Sequence, residues 1–312
     1  MGESRPYVVV LAGGEGSRLA SLTRALYGQD LPKQFAVLAG RHSLMQTTVE
    51  RAQLLTTLDR ISVIVSAPHE KVARQQLAPY PGVELVVQPK NLDTAAGLLL
   101  PLIRILRRDA DARVIFLPSD HYIANPTPLV EALLGTAKRS LRNRLAMVGV
   151  GPTAPEVEYG WIVRGKRIAR STAFEIEHFR EKPAQHVADE LWRSGGLWNT
   201  FIQAAPAQLL WQLARDHLPI HTRALERYAA AIGRIDEPGA LDAAYRMMPA
   251  ASFSRAVLDH ARSLAVLPVE GSGWSDWGSP QRVFASLAGT REHETLLERI
   301  RRDREPAVAI AS

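Results

Sequence analysis

The sequence contains no cysteine among its 312 residues, which excludes disulfide bonds and thiolate metal sites and suits a reducing compartment. Long apolar segments are also missing. The most apolar run, 98–106, is interrupted by Arg104 and is too short to span a bilayer. The apolar run before Gly13 is too short for a signal peptide. These absences predict a cytoplasmic protein with no membrane partner.

Neither sign of charge dominates, because 38 Lys and Arg face 32 Asp and Glu and leave a net charge of +6. A moderate positive excess suits small anionic substrates, although nucleic-acid-binding proteins show it too. Much of the excess lies on arginine-rich helical faces such as 298–304, which are usually solvated, and no basic motif with interleaved aromatics is found. We therefore expect no nucleic-acid partner.

The two commonest glycine motifs of nucleotide-binding proteins are absent as well. A P-loop needs a second glycine five positions after the first, and neither Gly13 nor Gly14 has one. The dinucleotide-binding fingerprint would require glycine at position 19 after Gly14 and Gly16, where Leu19 stands. The glycines near the N-terminus therefore belong to another kind of loop.

The stretch 7–35 nevertheless has the features of a polyphosphate site. Its apolar run, 7–12, predicts a strand that is buried on both faces and that leads into a glycine-rich turn. Arg18 lies in that turn, and Lys33 follows in a Pro-Lys-Gln step. Backbone N–H groups and two cations together can hold a polyphosphate.

Short apolar runs alternate with helical segments over the first 150 residues. The predicted strands are 7–12, 61–66, 83–88, 113–117 and 145–150, and the predicted helices are 43–58, 69–77, 94–108 and 126–142. This alternation predicts an α/β fold with a Rossmann-like, mostly parallel sheet and helices on both faces. Ligands of such sheets bind beyond the carboxyl ends of the strands.

The pattern changes after Gly151. Two strands close together, 161–168 and 173–179, are expected to pair antiparallel, and they are followed by a helix at 184–193 and a strand at 197–203. Helices dominate 206–262, one strand returns at 264–269, and helices begin again at 280. We predict a core over residues 1–235 and a smaller α+β C-terminal part over residues 236–312, integral to the same domain.

A second candidate site residue follows the fourth predicted strand, in the run Leu117-Pro118-Ser119-Asp120-His121. A carboxylate there would face the same edge of the sheet as the glycine turn and could hold Mg²⁺, which prefers oxygen ligands. The residues alone also allow Asp120 to cap the next turn. We interpret His121 as structural.

Six short motifs occur along the chain in a fixed order, at 11–19, 31–35, 159–162, 179–183, 198–199 and 273–278. Together and in this order they resemble the sugar-phosphate nucleotidyltransferases, in particular the mannose-1-phosphate guanylyltransferase branch. The resemblance extends from residue 7 to residue 287. No left-handed β-helix of the kind that many related enzymes append is expected.

The resemblance also implies roles for individual residues. Nucleotide-binding positions would be Leu11, Ala12, Gly13, Gly14, Gly16, Ser17, Arg18, Lys33, Gln88, Thr94, Ala95 and Ser119. Sugar-phosphate-binding positions would be Tyr159, Gly160, Glu181, Lys182 and Asn199. The metal ligands would be Asp120 and Asp276, with Mg²⁺ as the cofactor, and the catalytic residues would be Arg18, Lys33, Asp120 and Asp276. Trp274 and Trp277 are interpreted as packing residues.

The activity that the resemblance implies is Mg²⁺-dependent, in-line transfer of GMP from GTP to mannose 1-phosphate, with release of pyrophosphate, by a monomer or homodimer. The chain departs from the family pattern at Gln88, where glutamate is usual, at Leu92-Asp93 and at 200–202. Three alternatives therefore stay open: dTTP or UTP with glucose 1-phosphate, CTP with a polyol phosphate, and a non-catalytic regulator that binds nucleotide sugars.

Overall fold

The computed structural model describes residues 5–137, 141–262 and 264–302. Its strands are β1 (Tyr7–Leu11), β2 (Ile61–Ser66), β3 (Glu84–Gln88), β4 (Arg113–Pro118), β5 (Leu145–Val150), β6 (Gly160–Arg167), β7 (Phe174–Glu181), β8 (Leu197–Pro206) and β9 (Leu264–Pro268). Within these described ranges they form one nine-stranded sheet in the order β3-β2-β1-β4-β8-β5-β9-β7-β6.

Eleven α-helices connect and cover these strands within the described ranges. They are α1 (Ala20–Tyr27), α2 (Leu44–Gln53), α3 (Glu70–Leu77), α4 (Asp93–Arg108), α5 (Thr127–Leu134), α6 (Gln185–Arg193), α7 (Ala207–His217), α8 (Pro219–Ala229), α9 (Glu237–Met247), α10 (Pro280–Leu287) and α11 (Arg291–Arg302). Short 3₁₀ turns precede α1 and α3, and a π-helix spans Ser254–Leu258.

The pairing of the strands confirms the α/β fold class. Strands β3, β2, β1 and β4 are parallel, as the alternating pattern predicts. Beyond β4 the sheet is mixed, because β8 pairs antiparallel with both β4 and β5, whereas β9 runs parallel to β5. The predicted antiparallel pairing of β6 with β7 is also observed.

Both faces of the sheet are covered by helices, which explains the continuous apolar run at β1. Val8 and Val10 point to the face that carries α2, α3 and α5, and Val9 points to the face that carries α4, α7, α8 and α9. Successive residues of a strand face opposite sides, so a strand buried on both sides has no polar positions. All three valines are fully buried.

A third apolar cluster joins the C-terminal helices to the N-terminal turn. Leu19 and Leu22 pack there with Val283 of α10 and Leu296 of α11 around the buried Trp277. The indole ring of Trp277 stacks on Tyr122 with ring centroids 4.4 Å apart, so the packing role predicted for this tryptophan is confirmed.

Some predicted bounds differ from the observed ones. A capping box formed by Ser43 and Gln46 starts α2 close to the predicted start at residue 43, but the helix ends at Gln53 rather than at residue 58. The helix predicted over 126–142 is seen as α5, which ends before Gly135, and residues 138–140 lie outside the described ranges. Strand β9 is inserted between β5 and β7, while the boundary placed after residue 235 stays a prediction. Residues 303–312 of the predicted C-terminal part also lie outside those ranges.

The described residues also bear on two expected absences, a membrane-spanning helix and a left-handed β-helix. None of their helices combines the length and the apolar character that crossing a membrane requires. All of their named strands belong to the one sheet, so no left-handed β-helix occurs in this part of the chain.

Gln203 is expected to destabilise the fold. Its side chain is 1% exposed on β8, opposite Phe116 and Met147, and its amide makes no hydrogen bond to any described residue. An unpaired amide in an apolar core costs about 1–3 kcal/mol, so Gln203→Met should raise the free energy of unfolding by a similar amount. Urea denaturation would measure this, with Gln75→Met on the exposed face of α3 as the control. Destabilisation by Gln203→Met would contradict the prediction.

Candidate active site

A cleft of ≈ 780 Å³ opens beyond the carboxyl ends of β1 and β4, at the edge where an α/β sheet binds its ligands. Most of the predicted site residues line it: Leu11, Ala12, Gly13, Gly14, Gly16, Arg18, Gln88, Thr94, Ser119, Asp120, Tyr159, Gly160, Glu181, Lys182, Asn199 and Asp276. The remaining three, Ser17, Lys33 and Ala95, are not part of its lining.

Side chains of neighbouring segments hold the glycine loop after β1 through its carbonyl oxygens. The Gln34 side-chain amide donates to the carbonyl oxygens of Ala12 (3.1 Å) and Gly14 (2.6 Å), and the Ser66 hydroxyl donates to that of Gly13 (2.8 Å). The N–H groups of Gly13 and Gly14 donate to no described group. The loop therefore offers free backbone donors to the cleft that it lines, as a phosphate site requires.

Two of these glycines are required by their surroundings. Gly16 has φ +61°, and a Cβ there would lie 2.5 Å from the backbone nitrogen of Lys33. A Cβ on Gly13 would lie 2.6 Å from Nε2 of Gln88 at the end of β3. The hydroxyl of Tyr245 on α9 donates to Oε1 of Gln88 (3.1 Å), which holds this buried amide against the loop.

Lys33 does not face the cleft, although the sequence suggests a direct contact with phosphate. Its side chain is 4% exposed, and its ammonium group lies 3.0 Å from Oδ2 of Asp120, 2.6 Å from the carbonyl oxygen of Asp276 and 3.4 Å from that of Trp277. Three acceptors use the three protons of the ammonium group. Lys33 therefore links the two aspartate segments beneath the cleft.

Asp120 is ionised at neutral pH. Burial by itself would raise the pKa of its carboxyl group, but the charge and the hydrogen bond of Lys33, with a further contribution from His121, outweigh burial and lower that pKa to about 2. The indole N–H of Trp274 donates to Nδ1 of His121 (3.2 Å), so the neutral ring carries its proton on Nε2, 3.7 Å from Oδ1 of Asp120. Burial lowers the pKa of His121.

Asp276 is buried and surrounded by donors. Its Oδ1 accepts hydrogen bonds from the Tyr159 hydroxyl (2.5 Å) and the Gly278 N–H (3.0 Å), and Arg18 lies 3.6 Å from its Oδ2. Burial would raise the pKa of Asp276, but the hydrogen bond from Tyr159 and the charge of Arg282 lower it. The pKa of Tyr159 is raised by burial and by this hydrogen bond, so the phenol stays protonated.

Arg282 on α10 is a site residue that the sequence motifs did not indicate. Its Nη1 lies 3.0 and 3.2 Å from the two carboxylate oxygens of Asp276, and its Nη2 pairs with Glu156. A Cβ on Gly278 would collide with Asp276 and would lie 3.0 Å from nitrogens of both Arg18 and Arg282. In the sequence, Arg282 stands six residues after Asp276, and this spacing alone does not predict that the two side chains form an ion pair. The contact becomes visible only in the folded structure.

The opposite wall of the cleft is formed by the ends of β6, β7 and β8. A Cβ on Gly160 would lie 2.8 Å from Oε2 of Glu181 and 3.0 Å from the ring of Phe179, so both side chains pack directly against the backbone of Gly160. Burial raises the pKa of Glu181, while Lys182 opposes that rise. Oδ1 of Asn199 accepts the N–H of Phe201 (3.0 Å), which fixes the orientation of the amide.

Backbone strain is concentrated around this cleft. Asp93, Lys182 and Phe201 have φ values of +65°, +44° and +59°, and all three line it. Trp277, directly after Asp276, has φ +44°. Left-handed conformations of such residues cost about 1–3 kcal/mol each and are typical of functional sites.

The start of α4 supports the segment that closes the cleft on one side. The Thr94 hydroxyl accepts the N–H of Phe253 (2.8 Å), and the Ala95 N–H donates to Ala251 (3.0 Å). These contacts place the π-helix Ser254–Leu258 at the cleft, where Arg255 adds a cation that the motifs did not indicate.

The described residues include no cluster of three or more His, Cys, Asp or Glu that could enclose a metal ion. Asp120 and Asp276 are two carboxylates on one cleft, and the buried Ser119 hydroxyl beside them has no hydrogen-bond partner among the described residues. This donor set fits a cation that keeps several waters and takes phosphate oxygens, as Mg²⁺ does.

A glycine loop at the end of the first strand of an α/β sheet, facing carboxylates and cations across one cleft, is an arrangement typical of proteins that bind nucleotide polyphosphates. The chain belongs to the nucleotidyl transferase family, whose model matches residues 7–292.

Individual relatives agree with this family. The mannose-1-phosphate guanylyltransferase ManC of Salmonella typhimurium is 30% identical over 94% of this chain and 62% of its own length, and the mannose-1-phosphate guanylyltransferase of Escherichia coli is 29% identical over the same shares. The crystal structure of a mannose-1-phosphate geranyltransferase from Thermus thermophilus is 30% identical, with a TM-score of 0.80 over 91% of this chain and 80% of that one. The predicted resemblance to this branch is confirmed, and the chain spans about three fifths of the length of these curated relatives.

The lowered pKa of Asp120 predicts a pH-dependent contribution to stability. A carboxyl group whose pKa falls from 3.8 to about 2 on folding stabilises the protein above pH 4, and this stabilisation is lost as the pH falls toward 2. The difference in unfolding free energy between the wild type and Asp120→Asn should therefore shrink between pH 5 and pH 3. Urea denaturation at both pH values measures it, with the exposed Asp242→Asn as the control for net charge. A difference that is the same at both pH values would contradict the ion pair with Lys33.

Proposed function

We propose that this chain transfers a nucleotidyl group, GMP, from GTP to a sugar 1-phosphate, mannose 1-phosphate, and releases pyrophosphate as a step of GDP-mannose biosynthesis. The observation that carries the proposal is the single cleft that joins the glycine loop of β1 to the wall formed by Gly160, Glu181 and Asn199. A triphosphate on the loop and a sugar phosphate on that wall would lie side by side. The names of the relatives support guanine and mannose.

The chemistry needs little proton transfer. An oxygen of the sugar phosphate would attack the α-phosphorus, and the bond from that phosphorus to the pyrophosphate would break. A phosphate monoester has a second pKa of about 6, so the attacking group is already ionised at neutral pH. His121, which lines the cleft, accepts a hydrogen bond from Trp274 and lies 3.7 Å from Asp120. The reaction does not need it as a base. The task of the site is to position two anions in line and to neutralise their charge.

The residues of the cleft would divide this task between them. The free N–H groups of Gly13 and Gly14 would bind phosphate oxygens, and Arg18, whose side chain is 57% exposed, would neutralise the departing pyrophosphate. Lys33 would act through Asp120 by keeping that carboxyl group ionised and in place, which makes it a positioning residue.

The sugar phosphate would be bound on the opposite wall. Lys182 would pair with its phosphate group as a point charge, since its side chain is 49% exposed and its ion pair with Glu158 is long, at 3.9 Å. Glu181 and Asn199, both on the cleft, would accept and donate hydrogen bonds to the sugar hydroxyls.

Mg²⁺ would be held by Asp120 together with Oδ2 of Asp276. When bound, it would supply charge neutralisation at the α-phosphate. Oδ1 of Asp276 already accepts hydrogen bonds from Tyr159 and Gly278, which would orient the other oxygen. The Ser119 hydroxyl, which has no partner within the described ranges, would bond a water or a phosphate oxygen beside the metal.

The identity of the nucleotide base, guanine in this proposal, depends on Gln88. Tyr245 donates to Oε1, so the amide presents Nε2 on the side of Gly13, next to the loop. Guanine carries acceptors as well as donors, and thymine and uracil do too, which keeps dTTP and UTP as alternatives. A cytoplasmic location, the absence of nucleic-acid partners and a monomeric or homodimeric state stay predictions.

Pyrophosphate release from a matrix of GTP, dTTP, UTP, CTP and ATP against mannose 1-phosphate, glucose 1-phosphate and a polyol phosphate tests the proposal. We expect the highest kcat/KM with GTP and mannose 1-phosphate. A higher value for another pair would reassign the substrates within the family. If no pair releases pyrophosphate while nucleotide sugars still bind, the chain is a regulator.

Asp120→Ala should lower the stability, because Lys33 loses its ion-pair partner, but should leave the fold intact. It should reduce kcat by at least ~10²-fold, because one preorganised charge at the reacting phosphate is lost. Steady-state pyrophosphate release would measure the loss, and circular dichroism would check the fold. Asp242→Ala, at an exposed position of α9 that is not part of the cleft lining, is the matched control and should keep wild-type turnover. Substantial activity in Asp120→Ala would refute the metal assignment.

A further inference from the structure

Arg282 lies beside the carboxylate of Asp276, which the proposed function assigns as a ligand of the metal ion. Its backbone is fixed at the first turn of α10, where the Ser279 hydroxyl accepts its N–H (3.4 Å). Its guanidinium group bridges two acids, Asp276 and Glu156, and lies over the ring of Tyr159 at 4.9 Å from the centroid. The side chain is 29% exposed, so the bridge is partly shielded from solvent.

We infer that Arg282 is an internal cation that competes with a divalent metal ion for the carboxylate of Asp276. This inference rests on the proposed function, because it takes Asp276 as one of the metal ligands. Arg282 is then a positioning residue that sets how tightly the free protein holds the metal.

The two oxygens of Asp276 differ in how fully they are used. Oδ1 accepts from Tyr159 at 2.5 Å, from the Gly278 N–H at 3.0 Å and from Arg282 at 3.0 Å. Among the described residues, Oδ2 has only two contacts, both longer: with Arg282 at 3.2 Å and with Arg18 at 3.6 Å. A metal ion would therefore take Oδ2, and it would have to do so beside the charge of the guanidinium group.

The ion pair with Glu156 would keep Arg282 next to Asp276 when a metal ion binds. Its carboxylate holds Nη2, while Nη1 keeps its contact with Oδ1 of Asp276. The guanidinium group then stays close to the metal ion and repels it. The free protein should bind the metal weakly, and the negative phosphates of the nucleotide should be needed to offset that repulsion, so metal and nucleotide should bind together.

Mn²⁺ serves as the probe, because its free concentration can be followed by electron paramagnetic resonance. We expect Arg282→Gln, which removes the charge but keeps a donor, to tighten Mn²⁺ binding to the nucleotide-free protein by about tenfold. Arg282→Lys keeps the charge and is the matched control, with an affinity close to that of the wild type. Addition of a non-hydrolysable GTP analogue should tighten binding more in the wild type than in Arg282→Gln.

An unchanged or weaker Mn²⁺ affinity in Arg282→Gln would overturn the inference, because a residue that merely orients Asp276 would lower the affinity when removed. Circular dichroism checks that this variant is folded.

Mn²⁺ binding by Asp120→Asn tests the proposed metal site separately from the role of Arg282. If Asp120→Asn binds Mn²⁺ as tightly as the wild type in the presence of the GTP analogue, the metal does not use Asp120 and the assignment under the proposed function is wrong. A change in Asp120→Asn without tightening in Arg282→Gln would leave the metal site in place and reject only the role of Arg282.

Discussion

The buried ammonium group of Lys33 is the interaction on which the site depends. It joins three segments that are distant in the chain: the turn after α1, the end of β4 at Asp120, and the carbonyl oxygens of Asp276 and Trp277. A buried charge is costly unless it is paired and fully hydrogen-bonded, so the ammonium group stabilises the structure only when all three segments are in place. Lys33 therefore couples the shape of the cleft to the fold of the whole chain.

The sheet places the first two of these segments side by side. Leu11 of β1 pairs with Pro118 of β4, and the Ser119 N–H donates to the carbonyl oxygen of Leu11 (3.0 Å), so the glycine loop and Asp120 leave adjacent strands at the same edge. Asp276 reaches this edge through a short antiparallel bridge between Tyr122 and Ser275. Parallel pairing thus creates one half of the cleft, and a later segment of the chain completes the other half.

Local sequence patterns predicted the strands of the first half, because a run such as that of β1 can only be buried on both sides. They also predicted the cleft edge, since the residues that follow parallel strands gather there. The mixed pairing beyond β4 was not predictable in this way. Whether β8 inserts between β4 and β5 depends on contacts between residues far apart in sequence, and hydrophobic periodicity carries no information on strand order.

Residue patterns at short spacing were enough to predict the strands and helices, apart from some of their bounds, and the α/β class, and to single out the family motifs and the two aspartates. Each of these depends on residue types at short spacing, which is where steric preferences and hydrophobic periodicity act. The tertiary structure alone decided that Lys33 turns inward onto Asp120, that Arg282 holds Asp276, and that Tyr245 holds Gln88. The physical reason is that a buried charge or amide takes whichever partner the packing of distant segments brings within hydrogen-bonding distance, and that partner cannot be identified before those segments meet.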